Sequence, residues 1–145
     1  MTPEKKIRGI KRQVAVDTLG LIVGLVIQPA DTQDRVGARE VLAQVHASER
    51  GKRVEKVLAD GGYSGTLVAW CRDELGWELE ITKTPDAVKA NKQFVPVPKR
   101  WVVERTFGWL ETGRRLSKNF ERTVASAESM VYIGMIRLLT KRLAS

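Results

Sequence analysis

The sequence predicts an α/β domain in which a mixed sheet is flanked by helices. Two strand patterns joined by a tight turn open the chain, and strands and helices then alternate, giving the order β-β-α-β-α-β-α-α. Hairpin strands pair antiparallel, whereas strands separated by helices pair parallel, so both kinds of pairing are expected in one sheet. With 145 residues, the chain is expected to form a single domain over 1–145.

The first two strands are predicted to form a β-hairpin. The run 13–17 alternates apolar and polar residues, 18–20 has the composition of a turn, and 21–28 is rich in β-branched residues. Because the second run is almost entirely apolar, that strand is expected to be buried on both faces. Pro29 ends it.

Helix and strand patterns alternate through the middle of the chain. Apolar residues recur at helical spacing from Val36 to Val45, and either Asp31 or Asp34 is expected to cap the start of this helix. A short buried strand is predicted over 54–59 and an alternating one over 77–82. The helix between these strands is expected over 66–75, with inward-facing Leu67, Val68 and Cys71 and with Gly76 after its last turn.

Two helices are predicted at the end of the chain. A loop with three prolines is expected over 85–98, before an amphipathic helix over 101–116. That helix has Val103, Phe107 and Leu110 on one apolar face. The apolar face of the last helix, over about 126–143, is expected to contain Met130, Ile133, Ile136 and Leu139.

Composition and charge exclude several classes of protein. The net charge is +8, with the excess of bases at 1–12 and 99–145 around a slightly acidic middle. Clustered positive charge is typical of a polyanion-binding protein, although a solvated basic surface has the same composition. One cysteine and one histidine exclude a disulfide framework and a cysteine- or histidine-rich metal site. The longest uncharged run is too short to span a membrane, so the chain is expected to be cytoplasmic.

Two carboxylates stand out as candidates for chemistry. Asp60 follows a predicted strand and precedes two glycines, and the carboxyl ends of strands are where α/β sheets bind ligands. An ordinary turn after the strand would have the same Asp-Gly-Gly sequence. Glu104 lies one residue from the apolar stripe of its helix and is expected to border the buried face, where it has Arg100 as an ion-pair partner one turn away. Together the two carboxylates form part of a hard-cation site, which normally has a third.

Three segments resemble bacterial insertion-sequence transposases of the DDE type. They are 5–20 (KKIRGIKRQVAVDTLG), 59–65 (ADGGYSG) and 101–118 (WVVERTFGWLETGRRLSK). The resemblance covers nearly the whole chain, and its most specific part is Glu-Arg-Thr-Phe-Gly-Trp-Leu followed by Arg114-Arg115-Leu116. It implies a ribonuclease H-like catalytic domain that uses two Mg²⁺ or Mn²⁺ ions to cleave double-stranded DNA at insertion-sequence ends. The freed 3′ hydroxyl would then be joined to target DNA.

The resemblance also assigns roles to residues. Asp60 would be the second metal-binding aspartate and Glu104 the helix-borne glutamate, both catalytic. In related transposases a Tyr precedes the matched Arg100 by three residues and a Lys follows the Glu by seven, but this chain has Val97 and Glu111 there. Arg114, Arg115 and Lys118 are therefore expected to contact the DNA backbone instead. The full set of expected DNA contacts is Lys5, Lys6, Arg8, Lys11, Arg12, Arg100, Arg105, Arg114, Arg115 and Lys118.

The first aspartate of the family has no counterpart in this sequence. It belongs on a strand before the basic segment 5–12, so the domain is expected to lack its first strand and to be truncated at its amino terminus. Asp17 is expected to serve the hairpin turn instead. The open sheet edge left by that strand favours pairing with an upstream-encoded part of the transposase or with a second copy.

Three alternatives remain open, and the first two follow from this departure. The chain is the downstream product of a frameshifted transposase, or it is an inactive remnant that only binds DNA. The third is a small basic RNA-binding protein of ribosomal type, which would show no metal dependence.

Overall fold

The computed structural model describes residues 9–63, 65–82 and 102–145. The elements follow the predicted order, with 3₁₀ turns at Glu49–Arg53 and Gly61–Tyr63. The strands are β1 (Ile10–Val16), β2 (Ile22–Pro29), β3 (Lys56–Asp60) and β4 (Glu78–Thr82). The helices are α1 (Asp34–Ala47), α2 (Thr66–Trp70, continued by a π turn over Cys71–Leu75), α3 (Val102–Glu111) and α4 (Val124–Leu143). The predicted loop over 85–98 lies outside the described residues.

Strands β1 and β2 form the predicted antiparallel hairpin. Its register runs from Ile10 opposite Pro29 to Val16 opposite Ile22, with a bulge at Ala15 and Val16. The carboxylate of Asp17 accepts hydrogen bonds from the backbone N–H groups of Leu19 and Leu21, both at 2.9 Å. Asp17 therefore serves the turn, as its position in the sequence predicts.

The second sheet pairs β3 with β4 in parallel, so that Asp60 lies opposite Thr82. The prediction of one mixed sheet is wrong for the described residues, which form two separate two-stranded sheets. The free edges of β1 and β3 are not joined by a backbone ladder. Instead, a side chain connects the two parts, since the Tyr63 hydroxyl donates to Gln13 Oε1 at 3.3 Å. Nor is β3 a buried strand, because its residues alternate between exposed and half-buried.

The hairpin separates two hydrophobic clusters. Leu25 is 1% exposed and packs into the first cluster, whereas Val26, its neighbour in β2, packs against the second. The predicted burial of β2 on both faces is therefore confirmed. The first cluster joins the hairpin to α3 and α4 through Ile22, Leu25, Ile27, Leu110, Leu116, Ala127, Val131 and Met135. The second joins it to α1, α2, β3 and β4 through Ala38, Val41, Leu42, Val45, Leu67, Cys71, Trp77 and Leu79.

The start of α1 differs from its prediction. The residue at the N-cap position is Gln33, and no side chain caps the helix there. Asp34 already lies in the first turn, and its carboxylate accepts a hydrogen bond from the Lys11 ammonium at 2.7 Å. Neither Asp31 nor Asp34 is the cap, because the cap is the residue directly before the helix. Asp34 is the first residue of the helix, and Asp31 lies three residues before it.

The last two helices also differ in detail. Helix α3 ends at Glu111 instead of Leu116, and turns follow it through Asn119. Helix α4 begins after Thr123, whose side chain accepts a hydrogen bond from Ser126 N. The buried residues of α4 are Ala127, Val131 and Met135, while Ile133 and Ile136 are 55% and 62% exposed. The predicted apolar face is therefore wrong at these two isoleucines, which lie on the far side of the helix from Val131.

Candidate functional site

Asp60 is the last residue of β3, at the carboxyl end of the parallel pair, as predicted. Its side chain is exposed, and Oδ1 accepts a hydrogen bond from Gly62 N at 2.9 Å. This bond closes a short turn in the Asp-Gly-Gly sequence. The other carboxylate oxygen has no hydrogen-bond partner within the described ranges. Asp60 thus serves the turn and still presents a free oxygen at the sheet edge.

Tyr63 connects the Asp60 turn to the hairpin. Its hydroxyl donates to the side chain of Gln13, which is buried. Burial raises the pKa of Tyr63, and the negative charges of Asp34 and Asp60 raise it further. The phenol therefore stays protonated at neutral pH and acts as a hydrogen-bond donor. The carboxylate of Asp34 lies near enough to affect the pKa of Tyr63, and the sequence does not predict this proximity.

The polar neighbourhood of Tyr63 comes from the alternation of β1. Lys11 and Gln13 are two residues apart on a strand and so share a face. Both side chains donate to Asp34 Oδ1, at 2.7 and 3.4 Å. Lys11 is therefore engaged in an ion pair, and its predicted contact with DNA would compete with Asp34. The period-two spacing of Lys11 and Gln13 was the one signal in the sequence for this cluster.

Glu104 lies in the first turn of α3 and is exposed. The expectation that it borders the buried face is wrong. The buried residues of α3 are Thr106 and Leu110, and a side chain two residues from Thr106 points to the opposite side of the helix. The carboxylate makes no hydrogen bond or ion pair with any residue that the structure describes, and Arg100, its expected partner, lies outside those residues.

Helix α3 is anchored on the hairpin turn. Thr106 is fully buried, and its hydroxyl donates to Gly20 O at 2.6 Å. Gly20 has φ +83°, and a Cβ there would lie 2.9 Å from Thr106 Oγ1 and 3.0 Å from the Trp109 ring. Arg105 donates to Leu19 O at 3.4 Å. The position of Glu104 therefore depends on close packing between α3 and this turn.

Arg105 has a second structural role. Its guanidinium lies 5.0 Å from the centroid of the Trp109 ring, and that of Arg142, from α4, lies 4.1 Å from the same centroid. Both distances are within the range of cation–π attraction. Arg105 thus helps to join α3 to α4, whereas the sequence predicts only a contact with DNA for this residue.

The other basic residues predicted to contact DNA fall into four groups. Arg12 donates to Leu116 O at 3.2 Å. Arg115 donates to Glu121 Oε1 at 2.9 Å, and Glu121 also accepts from the Ser126 hydroxyl. The Ser126 hydroxyl bond and the Arg115 bond lower the pKa of Glu121. The side chains of Arg114 and Lys118 are exposed and form no ion pair within the described part of the chain. Three residues of the amino-terminal segment, Lys5, Lys6 and Arg8, lie outside the described residues, as does Arg100.

The turn that follows Asp60 and the helix that carries Glu104 contact the hairpin through different residues. The Asp60 turn reaches β1 through Tyr63 and Gln13, and α3 packs against β1 and α4 on the other face of the hairpin. Exposed carboxylates are ligands that Mg²⁺ and Mn²⁺ prefer. Asp60 and Glu104 are therefore the right type of ligand for such an ion. They are too few for a complete site, because the described residues contain no group of three or more His, Cys, Asp or Glu side chains able to hold a metal ion.

Comparison with known proteins gives one match. The family model described as "Transposase DDE domain" matches residues 1–139. No curated protein and no solved structure matches the chain. Among the helices that the structure describes, none is long and apolar enough to cross a membrane.

Proposed function

The chain belongs to the transposase DDE domain family, and from that premise we propose that it cleaves and joins DNA strands during transposition. The observation that carries the proposal is the extent of the family match, which takes in both β-strand pairs and α3. The same premise leads us to propose a ribonuclease H-like arrangement of the whole domain, with double-stranded DNA as its substrate.

Within this proposal, Asp60 and Glu104 are the metal ligands. Both are exposed, Glu104 is unpaired among the described residues, and Asp60 has one carboxylate oxygen free. When bound, Mg²⁺ or Mn²⁺ would stabilise the charge that develops on the phosphodiester oxygens during displacement. The protein would hold Asp60 in position through the Gly62 bond and Glu104 through the anchoring of α3 on Gly20. The described residues supply no third carboxylate for such a site, so the proposal assigns metal binding to these two side chains and no further step.

A second candidate function is DNA binding without cleavage. It is favoured by one observation, the lack of a third acidic ligand near Asp60 or Glu104 in the described part of the chain. Two carboxylates alone would hold a divalent ion weakly, and removal of one member of a catalytic unit usually removes most of the rate. The basic residues proposed to contact DNA would not depend on that ion.

The test of the proposed function is metal-dependent nicking of DNA. The purified chain is incubated with supercoiled plasmid in Mg²⁺ or Mn²⁺, and the open-circular product is quantified by gel electrophoresis. We expect nicking in either metal and none after EDTA is added, because the phosphodiester displacement needs the ion. Binding in a gel-shift assay without nicking would support the second function. Absence of both binding and nicking would contradict both functions.

A further inference from the structure

An open cleft lies between the start of β1, the middle of α3 and the turns that follow α3. Its volume is about 550 Å³, and its walls include Arg12, Phe107, Ser117, Lys118 and Asn119. Two of these residues are cations, and none of the described residues that line the cleft is acidic. The cleft therefore has a positive electrostatic character.

Arg12 gives the cleft a fixed cation. Its Nη1 donates to Leu116 O at 3.2 Å, which holds the guanidinium against the turn after α3. Its Nε is buried and has no acceptor among the described residues. A buried donor without an acceptor is costly. That N–H is not accessible, so a ligand in the cleft would meet the other N–H groups of the Arg12 guanidinium.

The opposite wall adds further donors. The Lys118 ammonium is free of ion pairs with the described residues and offers three N–H groups. The side-chain carbonyl of Asn119 accepts a bond from Glu121 N at 3.3 Å, which leaves its amide N–H₂ as the remaining donor. Arg, Lys and an amide N–H₂ are all donors, so the cleft is suited to a ligand that only accepts, such as a phosphate.

We propose that this cleft binds a backbone phosphate of the DNA strand on which the transposase acts. The choice of DNA over a free phosphate rests on the proposed function. Phe107 follows Glu104 by three residues, which places the two about 4.5 Å apart along the helix axis and on neighbouring faces. A strand whose phosphate is held by Arg12 and Lys118 therefore passes the turn of α3 that carries Glu104.

The test compares two cleft variants with a matched charge control. Duplex DNA binding is measured by fluorescence anisotropy at several salt concentrations for Arg12→Gln, Lys118→Gln and Lys141→Gln. Lys141 is exposed, lies on α4 and does not line the cleft. We expect each cleft variant to bind about 3- to 10-fold more weakly and to lower the salt slope by about 1, because one phosphate contact is lost. Lys141→Gln is expected to bind within about 2-fold of wild type.

Further comparisons distinguish failure of the cleft proposal from failure of the proposed function. Arg12→Lys retains the charge and is expected to recover most of the affinity, which distinguishes lost charge from a disturbed turn. If the wild type binds DNA and the cleft variants lose no more affinity than Lys141→Gln, the cleft proposal is overturned while the proposed function stands.

A second measurement uses inorganic phosphate with the ¹⁵N-labelled chain. In a chain that binds DNA, saturable shifts of the Ser117 and Asn119 amides that vanish in Lys118→Gln would support the cleft as the phosphate site. If DNA does not bind and phosphate does, the cleft is a free-anion site and the inference to DNA is overturned. If neither binds, the cleft proposal and the proposed function both fail.

Discussion

Asp60→Asn is expected to lower the rate of metal-dependent DNA nicking at least about 100-fold. The substitution replaces a charged carboxylate by a neutral amide, which holds a divalent ion far less strongly. Its carbonyl oxygen can still accept the hydrogen bond from Gly62 N, so the turn after β3 is retained. The fold is therefore expected to be unchanged, as judged by circular dichroism and thermal unfolding. The rate is measured by conversion of supercoiled plasmid in Mn²⁺.

The matched control for this prediction is Asp73→Asn. Asp73 is also an exposed aspartate, but its carboxylate pairs with Arg72 at 3.0 Å in the π turn after α2. The control removes the same charge without touching the end of β3, so it is expected to nick DNA at the wild-type rate. Equal rates for Asp60→Asn and the wild type would show that Asp60 is not a ligand.

Gly20→Ala is expected to lower the free energy of unfolding by about 2 to 4 kcal/mol. Two effects combine in this estimate. The backbone of Gly20 has φ +83°, where a residue with a Cβ is strained by about 1–2 kcal/mol. The new Cβ would also lie 2.9 Å from Thr106 Oγ1 and 3.0 Å from the Trp109 ring, so α3 must shift away from the hairpin turn. Because α3 carries Glu104, the shift is expected to disturb the candidate site as well.

Gly76→Ala separates these two effects. Gly76 has φ +70°, but nothing lies within 4 Å of the position of its Cβ. Its substitution therefore carries the strain without the collision, and is expected to cost about 1 kcal/mol. Both variants are measured by urea unfolding followed by tryptophan fluorescence. If Gly20→Ala costs no more than Gly76→Ala, the close packing of α3 on the hairpin turn is contradicted.

Local features of the fold were predictable from the sequence. The hairpin follows from alternation in β1 and from the turn chemistry of Asp17, both of which act within a few residues. The face of α4 was not predictable, because α4 has apolar residues on two sides. Val131 and Met135 are buried, and Ile133 and Ile136 fit a helical period equally well. Packing against the hairpin decides between the two faces, and that contact is not local.

The pairing of the strands and the arrangement of the candidate site also depend on contacts between residues distant in sequence. Asp60 could be placed at a strand end because Asp-Gly-Gly directly follows the strand pattern. The separation into two sheets depends on which strand edges meet, which no local pattern specifies. The exposure of Glu104 follows from the burial of Thr106, whose partner Gly20 is distant in sequence. The meeting of Arg12 and Lys118 in one cleft has the same origin.

The most direct test of the central claim is whether one metal site involves both Asp60 and Glu104. Mn²⁺ is titrated into the ¹⁵N-labelled chain in the presence of duplex DNA, and paramagnetic broadening is followed at the amides of Gly62 and Arg105. The account predicts that both signals broaden over the same range of Mn²⁺ concentration, and that Glu104→Gln weakens the broadening at Gly62. Broadening at neither amide, or broadening at Gly62 that is unchanged by Glu104→Gln, would contradict a shared metal site.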